Sequence, residues 1–183
     1  MATIRNGIIS VAVTAETGTE VPTTAQAKAW LKMGYSTDDT LIEGLIKTAR
    51  KYAESYCSIS IIAKTIRVVF THDGEKPVRI PQGPVGTVSL VRFRSCRLKD
   101  WTTITTETDN WEISEGEYIS NYVGYHEVTY AAGYANGTQP QSIIDALKRI
   151  STRLYERRGE EKGFSLEVEE MDLLNLHAER FWA

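Results

Sequence analysis

The sequence predicts an α+β protein: a helical bundle of about three to four helices with a small antiparallel β-sheet or sandwich inserted into it. Three observations carry this. Apolar residues recur with a period of 3.6 in residues 41–56 and again in 140–158, as in helices that bury one face. Between them, from about residue 59 to 132, the period falls to two, and short runs rich in Val, Ile, Thr and Tyr are separated by turn residues. A chain of 183 residues with 42% hydrophobic and 25% charged side chains is long enough to bury a core without disulfide or metal staples.

Each element has its own justification. Residues 1–22 read as an N-terminal extended segment, in which 4–13 suits a strand of imperfect alternation and Gly18–Pro22 a connector. Thr23 or Thr24 offers an N-cap hydroxyl to a helix over 25–33, and Gly34 suits its left-handed C-terminal position. Ser36–Asp39 caps a second helix, 39–56. There Leu41, Leu45, Ala49, Tyr52 and Tyr56 share one face, with Ile42, Ile46 and Ala53 beside them. Lys47, Arg50, Lys51 and Glu54 lie mostly elsewhere. Gly44 costs about 1 kcal/mol relative to Ala inside that helix, which a close helix crossing would explain.

Strands are expected at 65–70, 78–81, 85–93 and 125–132, with weaker candidates at 101–105, 111–114 and 118–121. His72–Glu75 reads as a turn. Pro140 opens a helix over 140–158 with Ile143, Leu147, Ile150 and Leu154 on its apolar stripe. This helix is expected to pack on the second one through Leu45, Ala49, Ile143, Leu147 and Ile150. A polar, Gly-flanked break at 159–163 leads into a C-terminal tail, so that 23–158 forms one domain and 159–183 a tail.

Few residues suggest chemistry. Cys57 and Cys96 have no metal spacing and read as two reduced thiols of a cytoplasmic protein. His72, His126 and His177 stand apart in sequence without ligand spacing, and the glycines at 83, 86, 133 and 137 lack a phosphate-loop context. No metal, cofactor or catalytic residue is therefore assigned. An enzyme reading would have to rest on His72, Asp73 or the carboxylates near Glu115 and Glu117. The opening residues carry no signal-peptide pattern, and no run approaches the roughly 18 apolar residues of a membrane span.

Two stretches suggest contacts. Arg92, Arg94, Arg97 and Lys99 form the most basic segment, suited either to phosphate or subunit contact or to a solvated hairpin. A nucleic-acid-binding module would use this stretch, although the net charge of −3 argues against a free-standing one. The tail gathers Leu173, Leu174, Leu176, Arg180, Phe181 and Trp182 on an acidic stem. It either packs on its own domain or docks on a partner. In the second case Glu167, Glu169, Glu170 and Asp172 would favour a basic receiving surface.

Several stretches, in order, resemble the head–tail connector (adaptor, or head-completion) proteins of long-tailed phages and gene transfer particles. Val21–Leu31 resembles the family's Pro-Thr cap and A-K-x-x-L helix. Asp38–Ala49 resembles its D-D-x-L-I-x-x-L-I-x-x-A helix, and Ile80-Pro81 with Pro84-Val85 its I-P-x-x-P-V step. Val128–Tyr134 resembles its V-x-Y-x-A-G-Y strand, followed by Pro140 and a Y-x-x-R ending at Tyr155–Arg158. Glu156 departs from the common form, and 94–124 aligns with nothing in it. The resemblance implies a structural virion protein, not an enzyme. It forms a ring, usually of about twelve copies, beneath the portal at the capsid–tail interface, after assembly in the host cytoplasm. The implied partners are the portal, other copies of itself, the next head-completion or tail-joining protein, and double-stranded DNA passing without specific binding. No membrane is implied.

Overall fold

The structure is a computed structural model that describes residues 6–104, 110–158 and 165–178. The α+β class holds. The chain divides into two compact units, Met1–Thr17 with Ala63–Gly133 and Gly18–Ile62 with Tyr134–Ala183.

The second unit is helical: α1 (Thr24–Leu31), α2 (Asp39–Cys57), α3 (Gln141–Glu156) and α4 (Val168–Asn175). Thr23 starts α1 with a capping box. Its hydroxyl accepts the Gln26 N–H (3.3 Å), and the Gln26 carbonyl oxygen accepts the Thr23 N–H (2.9 Å). The left-handed residue that ends α1 is Lys32 (φ 56°), not Gly34. The Met33 N–H reaches back to the Lys28 carbonyl (3.0 Å), closing the turn two residues early. Met33 can then pack on the cluster of Ala27, Ile42 and Ile46.

The buried face of α2 holds Ile42, Ile46, Ala49, Arg50, Ala53 and Cys57, while Leu41, Tyr52 and Tyr56 are exposed. The expected stripe is thus rotated by about one residue, or about 100°. The cause is the packing of α3, whose Ile143, Ala146, Leu147 and Ile150 meet Ala49, Ala53 and Cys57 in one core. Small residues at 49, 53 and 57 let the two helices approach. Leu154 packs against the edge of this core.

Arg50 was expected on the polar face and is instead the largest buried side chain. Its guanidinium holds Glu20 by two bonds (Nε to Oε2 2.8 Å, Nη2 to Oε1 2.9 Å) and Glu54 by a third (Nη1 to Oε2 2.9 Å). The other oxygen of Glu54 accepts the Ile61 N–H (2.9 Å). A buried charge is tolerated because its donors are met by carboxylates. Cys57 beside this core is a buried thiol, pushed up to about 12 by burial, with Sγ 3.6 Å from the Leu174 carbonyl.

The first unit is antiparallel β. Its larger sheet has the order β1 (Gly7–Glu16), β2 (Lys64–His72), β8 (Gly124–Ala132), β4 (Val85–Arg94), β5 (Thr102–Thr103). Its smaller sheet has the order β3 (Val78–Arg79), β7 (Glu117–Ser120), β6 (Trp111–Ser114). The strand candidate at 4–13 is β1, which begins at Gly7, runs on to Glu16, and pairs with β2 from Gly7↔Thr71 to Glu16↔Lys64. In the centre, Ile66 faces Tyr130 and Val68 faces Val128. These residues join Phe70, Ile80 and Tyr118 in a second core. The buried Tyr130 hydroxyl donates to the Pro81 carbonyl.

Two stability outcomes follow. Leu147→Ala empties a fully buried site between α2 and α3 and should cost about 2–5 kcal/mol in denaturant melts; a loss within about 0.5 kcal/mol would contradict this packing. Arg50→Ala strands Glu20 and Glu54 and should cost about 3–5 kcal/mol. A near-neutral Arg50→Ala would show that the three charges are solvated.

Candidate interaction surfaces

Three of the stretches that carry the connector resemblance meet in the helical unit. Lys28 of α1 pairs with Asp39 at the start of α2 (2.7 Å). Its neighbour Asp38 accepts the hydroxyl of Tyr155, from the end of α3. That bond to a carboxylate is the main reason the Tyr155 hydroxyl is pushed up to about 12. Arg158 closes the junction. Its guanidinium lies 4.1 Å from the Tyr155 ring centroid and donates to the Tyr155 carbonyl (2.9 Å). The paired aspartates and the Y-x-x-R ending therefore act on each other, tying helix ends together.

The basic stretch is divided by the fold. Arg92 pairs with Glu127 of β8 (Nε to Oε1 3.0 Å). Arg94 lies between Trp101 (4.4 Å) and Tyr125 (5.4 Å) and donates to the Arg97 carbonyl (3.1 Å). Both brace the β4–β5 hairpin. Arg97 and Lys99 stand at its exposed tip beside Asp100, around Leu98, which is 96% exposed.

The acidic stem of the tail does not wait for a basic partner. Arg153 of α3 pairs with Glu170 and with Glu167 (3.0 Å), and Arg149 pairs with Glu169 (2.6 Å). Leu174 is fully buried in the α2–α3 core and Leu173 packs against it. These two leucines are thus core residues of their own unit, because α4 folds back on α3. Only Leu176 of the expected anchors is described and free of the core, at 73% exposed. Arg180, Phe181 and Trp182 lie outside the described residues.

Sequence reasoning missed one constellation. His72 and His126, on β2 and β8, are fully buried with Tyr118 and Phe70, and the half-buried Phe93 packs against His126. The His72 and His126 ring centroids are 5.4 Å apart. The Tyr118 hydroxyl is 2.9 Å from His126 Nδ1, and His126 Nε2 is 3.0 Å from the Tyr122 carbonyl, so Nε2 carries the proton and Nδ1 accepts. Burial holds His126 neutral, down at about 4, and pushes Tyr118 up to about 12. His72 Nδ1 accepts the Gly74 N–H (2.9 Å). These groups are sealed from solvent and serve as core. His177, far from them in sequence, meets Ser142 (Nε2 to Oγ 2.6 Å). Among the described residues, no three His, Cys, Asp or Glu side chains group as metal ligands, and no helix is long and apolar enough to cross a membrane.

Residues 23–94 match the family of phage gp6-like head-tail connector proteins. That span holds the Thr23 cap, Lys28, Asp38, Asp39 and the strands to Arg94. No curated protein matches the chain. Among solved structures, a chain in the virion of a native gene transfer agent particle is 18% identical, with a TM-score of 0.73 over 92% of this chain and 95% of its own. A chain in the neck of an empty gene transfer agent particle, computed with C6 symmetry, is 17% identical, with a TM-score of 0.72 over 92% and 94%. One in the neck of a native particle, computed with C12 symmetry, is 18% identical, with a TM-score of 0.70 over 92% and 94%. At this identity the structures establish a shared fold. With the family match, they bear out the resemblance to head–tail connectors.

The buried histidine sets a pH dependence. An unfolded histidine takes its proton near pH 6.5, whereas His126 resists protonation down to about 4. The unfolded chain therefore binds the extra proton in this window. Stability is full above about pH 6.5 and falls as the pH drops, by about 2 kcal/mol at pH 5 from this group. An NMR titration should place the His126 midpoint near 4; a midpoint near 6.5 would show an open, solvated ring.

Proposed function

We propose that the chain is a ring-forming connector that sits beneath the portal of a tailed phage or gene transfer particle, joins the capsid to the tail and extends the DNA channel. The observation that carries this is the family match over 23–94, with its paired aspartates engaged at the helical junction. Fold likeness to chains of necks computed with C12 and C6 symmetry supports a ring, of about twelve copies. The site of action is the virion neck, and assembly takes place in the host cytoplasm. We assign the chain no catalytic step. His72 and His126 are core, and the Cys57 thiol is buried and held protonated.

Portal contact falls to the end of the chain, Arg180, Phe181 and Trp182, since Leu173 and Leu174 are spent on the helical core. A further face of the ring receives the next head-completion or tail-joining protein. Duplex DNA passes without specific binding. Arg92 and Arg94 are engaged within the hairpin, and each copy carries a net charge of −3. A ring of such copies repels the phosphate backbone more than it holds it.

Native mass spectrometry of the chain mixed with its particle's portal tests the reading. One ring of copies per portal is expected; a chain that stays monomeric beside the portal contradicts it. A chain ending at Ala178 keeps α4 and should melt as the full chain does, yet lose portal capture. Undiminished capture would remove the end of the chain from that contact. The full chain should bind duplex DNA weakly at physiological salt, and tight binding that falls steeply with added salt would favour the hairpin as a nucleic-acid site.

A further inference from the structure

Helix α2 has two apolar faces; its own chain covers one and touches the other at its C-terminal end, where the Tyr56 hydroxyl donates to Asn175 Oδ1 (2.9 Å). The inner face holds Ile42, Ile46, Ala49, Ala53 and Cys57. On the outer face, Leu41, Leu45, Thr48, Tyr52 and Tyr56 follow one another at three- and four-residue spacing. Leu41 is 42% exposed, Tyr52 41% and Tyr56 39%. Such a band, some four turns long, is large for a side of a protein that meets only water.

Gly44 lies beside this band. Inside a helix glycine is unfavourable by about the full propensity gap to alanine. A helix glycine that carries this cost often has a packing or functional reason. No packing reason exists within the described chain, because a Cβ built on Gly44 meets nothing within 4 Å. Thr48, one turn on, folds its hydroxyl back to the Gly44 carbonyl (2.9 Å). The surface around Gly44 is therefore low and flat.

The occupant has a counterpart in the same sequence. Helix α4 buries Glu170 and Leu174 against its own unit. Its opposite side presents Val168, Asp172 and, in the following turn, Leu176, at i, i+4 and i+8, all exposed. Two apolar residues flank one carboxylate. The α2 band is apolar, and on its Gly44 side stand the exposed Lys47 and Lys51, of which Lys51 lies nearer the band. Shape class and charge are complementary.

We propose that in the ring the outer face of α2 seats α4 of the adjacent copy, with its backbone passing close at Gly44 and Asp172 meeting Lys51. This rests on the ring reading and names the surface that builds the ring. The two patches are different, so the contact is heterologous, the type that closes into rings. It also explains a helix glycine that folding alone disfavours.

The test separates stability from assembly, using the full chain with its portal. Gly44→Ala should raise the melting temperature of the monomer by a few degrees, through helix propensity in open space. Gly44→Leu should keep the monomer folded but lower ring yield at fixed concentration by about tenfold or more. Lys51→Asp and Asp172→Lys should each weaken assembly, and the double variant should recover it, since each interface then carries the swapped pair. Ring yield unchanged by Gly44→Leu overturns the proposal while leaving the ring standing. Loss without recovery in the double variant overturns it too, and assigns the α2 face to the portal or another protein. If the unaltered chain never forms multi-copy assemblies, the ring reading fails first and this contact falls with it.

Discussion

The helical unit depends on one buried cation. Arg50 projects from the middle of α2 into the interior and binds Glu20, just before the cap of α1, and Glu54, one turn along its own helix. Glu54 passes the constraint on to the backbone of Ile61. One guanidinium therefore fixes both ends of the stretch 18–62 against α2. A neutral side chain there would leave two carboxylates facing an apolar core, which is more costly than a missing contact. With Arg50 inside, α2 must turn Ile42, Ile46, Ala49 and Ala53 inward as well. Leu41, Tyr52 and Tyr56 are then carried to the surface. The exposed apolar face is a geometric consequence of where the charge went.

Much of the fold was legible in the sequence. The period-two run from Ile66 to Phe70 and its partner from Val128 to Ala132 became the central pair of the larger sheet, and the stripe on α3 packs as its spacing implied. The rotation of α2 was not legible, because an arginine among apolar neighbours reads as surface unless its partners are known, and Glu20 is thirty residues away. The buried histidines did leave a signal. His72 continues the parity of Ile66, Val68 and Phe70, and His126 that of Val128 and Tyr130. Reading His72–Glu75 as a turn hid it, although the strand runs to His72 itself.

The candidate site was legible in outline only. Paired aspartates and a Y-x-x-R ending are short motifs, and nothing in their spacing says that Tyr155 finds Asp38 more than a hundred residues away. The acidic stem of the tail read as a signal to a basic partner. That partner is α3 of the same chain, whose Arg149 and Arg153 point at Glu169, Glu167 and Glu170. Local charge patterns cannot distinguish an internal ion pair from an external one. With those charges paired inside, exposed apolar side chains remain on several elements, among them Leu41 and Tyr52 of α2, Val168 of α4, and Ile8, Ile9 and Val13 of β1. Contacts built from such side chains weaken little with salt.

A cryo-electron microscopy map of the neck of the particle that encodes this chain tests the central claim most directly. The account predicts that the fold described here, with its five- and three-stranded sheets and its four helices, fits one ring in direct contact with the portal and coaxial with the DNA channel. A map in which that ring is built of another fold, or particles that are complete and joined to tails without this chain, would contradict it.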